Sequence, residues 1–369
     1  MTASLTHRER FVRVLTGQPT DRVPFIKLFG GTNAHVGDWE AEAPGVSTHI
    51  DEWLQFEGPY RGWQIASVNM DLSSLGPDEV LSDTPDELVV RRGDGEIRRH
   101  NKSGDYHTQP LRFAVADRND WDRVRSLHLR ADDPTRFAPD WPAEVERLRA
   151  RDYPLQLTHW GIYGFIRKLM GDEALAYAFY DTPDLVDDIM TTYTDVAISL
   201  WERMLSELDF DLIECWEDMA YRSGALVSPA VFRRFMQPHY RRIRAFADVH
   251  RIPIVLVDSD GLIDALTGLM LESGVNALYP FEVQSGNDLA GLLQRYPQLG
   301  ALGGLDKRVM SQGRAAIDAE LERARGLIRI GRFIPGPDHF VLSDVTYASY
   351  AYFMQGLRRV VMETRPLSG

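Results

Sequence analysis

A chain of 369 residues with 44% hydrophobic side chains can hold one large α/β domain or two ordinary ones, and is too apolar for disorder. Its formal net charge of −13, with no Lys/Arg-rich run, argues against nucleic acid, although a local basic pocket would still admit an anionic substrate. The single cysteine, Cys215, rules out an internal disulfide and fits a cytoplasmic location. The N-terminal segment is charged at once and no stretch approaches ~20 apolar residues, so neither secretion nor a membrane span is expected.

The segment Thr6-His7-Arg8-Glu9 predicts a capping box opening a helix that carries Phe11, Val14 and Leu15 on one face and stops near Gly17. Pro19 to Pro24 reads as a turn and Val23 to Leu28 as the first strand. Residues 30–62, irregular and rich in aromatics, read as a lid or substrate loop, and 64–68 as a weaker strand. Between residues 86 and 112, Leu88 to Arg92, Gly93-Asp94-Gly95 and Glu96 to Arg99 predict a β-hairpin, an excursion from one domain spanning residues 1–369. Trp121 to Leu148 reads as helical, interrupted around Pro134 to Pro142.

From residue 155 the alternation is regular. A strand at 155–158 precedes a helix within 161–180, and Thr182-Pro183 starts a long helix with Thr as N-cap. A strand at 212–216 is followed by a second Ser-Pro helix start at Ser228-Pro229. Further strands are expected at 254–257, 277–281, 299–303 and 332–335, which brings the count to eight. Strand and helix alternating in this way predict a single (β/α)8 TIM barrel.

The chemistry-bearing residues stand where those strands end. Phe210 to Trp216 delivers adjacent carboxylates, Glu217 and Asp218, which point in opposite directions if extended, so that one faces the mouth while the other caps a helix or pairs with Arg222. Asp258-Ser259-Asp260-Gly261 offers two acids where a helix cap needs only one. Glu282 follows Ala277 to Phe281, and His339 follows the rigid Pro335-Gly336-Pro337-Asp338. Such a His beside acids suits a general base or a metal ligand, though structural roles are open to each of these residues. Asp306 and Lys307, after Gly303-Gly304-Leu305, either bind substrate or pair with each other, and His159 and Arg167 around Gly161 to Arg167 could hold a carboxylate. No G-x-S-x-G nucleophile motif is present.

Five of these segments in order, Gln18-Pro19-Thr20-Asp21-Arg22-Val23-Pro24, Glu217-Asp218-Met219, Asp258-Ser259-Asp260-Gly261, Gly303 to Lys307 and Asp338-His339, resemble the uroporphyrinogen decarboxylase superfamily over nearly the whole chain. The resemblance implies a (β/α)8 barrel and either a porphyrinogen decarboxylase or a zinc-dependent methyltransferase serving a corrinoid protein, O-demethylases of aryl ethers included. The decarboxylases carry an arginine-rich segment after the first strand, and here that place reads Phe29-Gly30-Gly31-Thr32-Asn33, with no arginine. The thiol-acting methyltransferases place a His-x-Cys pair where this chain has Asp258 and Asp260, and a late Cys where it has Pro337-Asp338-His339. Carboxylate and imidazole suit harder chemistry than thiolates, so a zinc site is expected from Glu217, Asp258, Glu282 and His339.

The leading expectation is a methyltransferase or demethylase of a small methylated ether or amine, with Glu217, Asp218, Asp260 and His339 as catalytic candidates and His159, Arg167, Asp306 and Lys307 against substrate. Its expected partners are the small-molecule substrate, a corrinoid protein and a second copy of the chain in a homodimer. The alternative is a metal-free decarboxylase of a small acid, in which Arg167 or Lys307 holds the carboxylate; a non-catalytic barrel is the third reading, against which the acids count. Too few cations follow the first strand to pair a many-carboxylate substrate, so uroporphyrinogen should not be decarboxylated. Turnover of ~1 s⁻¹ or faster in a standard assay would contradict this.

Overall fold

The computed structural model describes residues 5–28, 38–102 and 108–366. The expected capping box is present at helix α1 (His7–Thr16): the Glu9 N–H donates to the Thr6 hydroxyl, the Thr6 N–H donates to the Glu9 carboxylate, and Gly17 ends the helix at φ 71°. Helix α2 (Val46–Leu54) and a short turn of helix at Asp38–Ala41 occupy part of the segment expected to be irregular. The arginine-free stretch 29–33 lies outside the described residues.

The strands in chain order are β1 (Gln64–Ile65), β2 (Glu79–Asp83), β3 (Glu87–Arg91), β4 (Ile97–Asn101), β5 (Thr108–Arg112), β6 (Leu155–His159), β7 (Leu212–Trp216), β8 (Ala220–Tyr221), β9 (Gly224–Ala225), β10 (Ile254–Asp258), β11 (Ala277–Tyr279), β12 (Gly300–Leu305) and β13 (Phe333–Pro337). Seven of them form one curled sheet in the order β1-β6-β7-β10-β11-β12-β13, parallel at every pairing. The hairpin expected over 88–99 is the β3–β4 pair at the centre of a separate antiparallel sheet, β2-β3-β4-β5.

Among the described residues seven of the eight expected strands pair, in a TIM-barrel-like sheet that no ladder closes. Val23 to Leu28 is buried and packs in the gap between the sheet's two edges: Ile26 crowds Gly62 beside β1, and Leu28 crowds Gly336 on β13. Yet it joins no ladder. Pro24 has no N–H to give, and Phe25 directs its N–H to the Glu57 carboxylate and its carbonyl to the Glu57 N–H. The result is a TIM-barrel-like α/β fold with a curled, open parallel sheet.

Helices cover the outside of that sheet. The expected helix over 121–148 is two, α3 (Arg118–His128) and α4 (Trp141–Arg149), broken around the prolines as anticipated. The expected helix within 161–180 is divided into α5 (Ile162–Met170) and α6 (Asp172–Asp181), because Gly171 at φ 80° turns the chain between them. The long helix α7 (Pro183–Leu205) begins at Pro183, but the Thr182 side chain makes no capping bond. Ser228 does cap, accepting from the Val231 N–H. Among the described residues no helix is long and apolar enough to cross a membrane.

One carboxylate fixes how β7 meets α5. Glu217, fully buried, accepts from the Ile162, Tyr163 and Gly164 N–H groups at 2.8, 2.7 and 3.0 Å and from the Tyr240 hydroxyl. Burial pushes its carboxyl up, while those four donors at a helix N-terminus pull it back. The approach requires glycine: a Cβ on Gly164 would stand 2.1 Å from the Trp216 carbonyl oxygen. Glu217→Ala strands four buried donors, so a loss of about 3–5 kcal/mol in chemical denaturation is expected. A loss under about 1 kcal/mol would refute this role.

Candidate functional site

Side chains alternate along a strand, and the parallel register aligns Gln156 and Thr158 of β6 with Leu212 and Glu214 of β7, and Trp216 with Asp258 of β10 and Tyr279 of β11. Of this inward row Gln156, Thr158, Glu214, Trp216 and Asp258, with Arg61, Ile65, Val68 and Met70 from the segment around β1, line a cavity of about 490 Å³ at the strands' C-terminal end. In TIM-barrel enzymes this end carries the chemistry. Trp160, Asp218, Asp260, His339 and Phe340 complete the rim.

On the floor lie two buried acids. Glu214 accepts from the Tyr279 hydroxyl, which in turn accepts from Arg61 Nη1 at 2.6 Å, and Arg61 stands 3.9 Å from Asp258. Burial pushes the Glu214 carboxyl up; burial and then the Glu214 charge push Asp258 well above the usual carboxylate range. Burial also pushes the Tyr279 phenol well up, with the two acids adding to it. Two acids sharing one guanidinium hold protons more readily than either alone.

Above them, oxygens of Asp218, Asp258 and Asp260 lie within 4.8 Å of one another. Asp218, at φ 43°, is raised by burial and by the Asp260 charge, against the pull of Arg167, whose Nη2 donates to Asp218 Oδ2 at 3.0 Å. His339 Nε2 stands 3.2 Å from Asp260 Oδ2. Oxygen donors converging with an imidazole, short of positive charge, are a set that fits a divalent cation.

The expected metal set is not the one assembled. Asp258 and His339 reach the cavity, but Glu217 is turned into the α5 N-terminus, and Glu282 accepts from the Gly261 N–H at 3.0 Å and the Ser285 hydroxyl at 3.2 Å. Asp218 and Asp260 stand in their places. Glu282 lines an adjoining cavity of about 320 Å³, which Asp218 and Asp260 also border. By holding Gly261 it braces the turn that carries Asp260.

The substrate candidates are likewise divided. His159 borders the main cavity, but its ring packs against Tyr193 and Trp201 of α7, and burial drives its pKa down to about 3. Arg167 is engaged by Asp218. Asp306 does not pair with Lys307: it caps the following turn, and against its burial the Arg308 guanidinium holds its carboxyl down. Lys307 lies 3.7 Å from Glu282. Asp338, fully buried, accepts from the Val283 and Lys307 N–H groups and so ties the ends of β11, β12 and β13 together.

Sequence reasoning missed Glu214, Tyr279 and Arg61. Glu214 was discoverable, as an acid at an inward position of an apolar strand. Arg61 carried no signal, since it comes from an irregular segment and is, among the described residues, the one Arg or Lys lining the cavity.

No protein-family model and no curated protein matches the chain. Among solved structures, a methyltransferase from Methanosarcina mazei is similar with a TM-score of 0.62 at 15% identity, over 98% of this chain and 99% of that one. At that identity the likeness is one of fold. A chain described as a vitamin-B12-independent methionine synthase from Listeria monocytogenes overlaps loosely, with a TM-score of 0.33 at 11% identity over 59% of this chain and 68% of its own.

Asp258 has a folded-state pKa above its unfolded one. The stability it contributes is therefore complete below the unfolded value of about 3.9 and is lost as pH rises through the folded value. In chelator-treated protein, Asp258→Asn should melt higher than wild type near neutral pH, with the difference vanishing as pH falls to about 3.9. Thermal unfolding across pH checks this, and a lower neutral-pH Tm would contradict it.

Proposed function

We propose that this chain is a methyltransferase that takes a methyl group from a small O- or N-methylated substrate in the 490 Å³ cavity and passes it to a corrinoid held by a separate protein at the open mouth. The convergence of Asp218, Asp258 and Asp260 beside His339 carries the reading. The fold supports it, because the solved structure that shares it along nearly the full length is a methyltransferase. So does the cavity's chemistry. Apolar Ile65, Val68 and Met70 give room for a methyl-bearing group, and the acids gather on one side.

Asp218, Asp258 and Asp260 are the residues that would hold a divalent ion, zinc among the candidates. Bound there, such an ion supplies Lewis-acid polarisation of the leaving oxygen or nitrogen. The chain's own part is to orient and to manage a proton. When the methyl carbon's bond to the heteroatom breaks, its electron pair stays on the heteroatom, which then needs a proton. His339, at the rim beside Asp260, is placed to deliver it. Arg167, clamping both the Asp218 carboxylate and its carbonyl, fixes the rim from outside.

Decarboxylation of a small acid is served less well. Arg167 and Lys307, which that reading needs for the substrate carboxylate, are taken up by Asp218 and Glu282. The cavity is lined by five acidic side chains, counting Asp71 and Glu214, and among the described residues by one Arg or Lys, Arg61, which already donates to Tyr279, so it offers a substrate carboxylate little to pair with.

Protein purified without chelators should contain a divalent metal by mass spectrometry. Asp218→Asn and Asp260→Asn should each deplete it, whereas Glu282→Gln should retain it. His339→Ala should slow demethylation of the best substrate in a panel of methylated ethers and amines on the order of 10²-fold or more. A metal-free wild type that remains active would remove the ion from the reading.

A further inference from the structure

The rim of the cavity is aromatic where its floor is acidic. Trp160 and Trp216 meet edge to face with centroids 5.1 Å apart, and Phe340 follows His339 on the opposite strand end. Trp216 and Phe340, 39% and 40% exposed, stand at the mouth of the cavity they line. The wall already receives one ammonium: Lys168 Nζ sits over the Trp160 ring, 5.4 Å from its centroid, while also paired with Asp71. Behind the rings stand Asp71, Glu214, Asp218, Asp258 and Asp260, against Arg61 from the lining and Arg167 and Lys168 from outside. Lys168 meets Asp71, Arg167 meets Asp218 and Arg61 lies beside Glu214 and Asp258, so among the described residues Asp260 is the cavity acid with no Lys or Arg paired to it.

From this combination we infer that the cavity binds an N-methylated ammonium ion, its methyl groups against Trp160, Trp216 and Phe340 and its charge facing Asp260 and the acids beneath. A ring face attracts a desolvated cation by about 2 kcal/mol or more, and the carboxylates add to it; a neutral ether gains neither term. Asp260 is the member of the acid cluster most open to solvent, its side chain 37% exposed, so it is the one an entering cation meets first.

The chemistry is consistent with that substrate class. As the acceptor bonds to the methyl carbon, the C–N bond breaks and its electron pair remains on nitrogen, so a quaternary ammonium leaves as a neutral amine and needs neither a proton nor a Lewis acid. The inference rests on the methyl-transfer reading for the reaction, but not on a metal. An ammonium and a divalent ion are alternative partners for the same carboxylates, one organic and one inorganic.

Binding can be read without turnover, from calorimetry and from the fluorescence of Trp160 and Trp216. Choline and its uncharged carbon isostere, 3,3-dimethylbutan-1-ol, share shape and differ in charge. With the full-length protein freed of divalent ions by chelator, near neutral pH, choline should bind at least about tenfold more tightly than the isostere. Trp216→Leu and Asp260→Asn should each weaken choline about fivefold or more, and Asp260→Asn should leave the isostere unchanged. Equal affinity for the two, or no binding of either, overturns the inference. If methoxylated compounds are then demethylated, the methyl-transfer reading survives without it. Choline binding with no methyl loss from any donor supports the ammonium site and ends that reading instead.

Discussion

The site depends on a division of labour between two neighbours in sequence. Glu217 is drawn inward by three backbone N–H groups of α5 and the Tyr240 hydroxyl, and its own N–H donates to the Asp258 carbonyl. With that side chain committed to the core, the chain turns through a left-handed conformation at Asp218, φ 43°, and the second carboxylate emerges over the cavity. A non-glycine residue held there is strained, and the strain persists only because its surroundings determine it. Two acids that the sequence presents as equals thus take different surroundings, Glu217 in the core and Asp218 on the cavity.

The same trade recurs across the mouth. Glu282 and Asp338 spend their oxygens on backbone N–H groups of neighbouring loops, and Asp306 on its own turn and Arg308, so these acids fix where the strand ends lie. Asp218, Asp258 and Asp260 satisfy fewer donors and press on one another instead. Asp218 and Asp258, both raised by burial, gather with Asp260 in one cavity at a cost in stability, an arrangement that supports a functional reading of the site.

Much of this architecture was legible before the coordinates. Three of the seven paired strand positions, those of β7, β10 and β11, stood out because apolar runs ended in acid, and the hairpin because Gly93-Asp94-Gly95 separates two β-rich runs. Periodicity could not show that Val23 to Leu28 joins no ladder, since burial looks the same whether or not the backbone pairs; Pro24 was the clue. Likewise spacing identified a ring of acids but not their partners. Those partners are long-range: the α5 N-terminus for Glu217 and Gly261 for Glu282. Glu214 was hidden for the opposite reason. It sits inside the strand rather than past its end, and the eye for rim residues passes over it, yet the period-2 row through Leu212, Glu214 and Trp216 points it into the cavity.

The resemblance to the uroporphyrinogen decarboxylase superfamily rests on motif order, and the geometry gives those motifs physical content. On that resemblance alone, which no family model bears out, Asp258 and Asp260 correspond to the His-x-Cys pair of the thiol-acting enzymes, and the structure brings both to one cavity with Asp218. Replacing a soft thiolate and a neutral imidazole by two carboxylates changes what the site can hold. Thiolate and imidazole select a borderline-soft metal through covalency, whereas carboxylates respond chiefly to charge and to hard ions. A site defined by charge is open to any cation small enough to reach it, inorganic or organic. The selection between them then falls to the walls, and here the walls are Trp160, Trp216 and Phe340, which favour a cation that carries methyl groups.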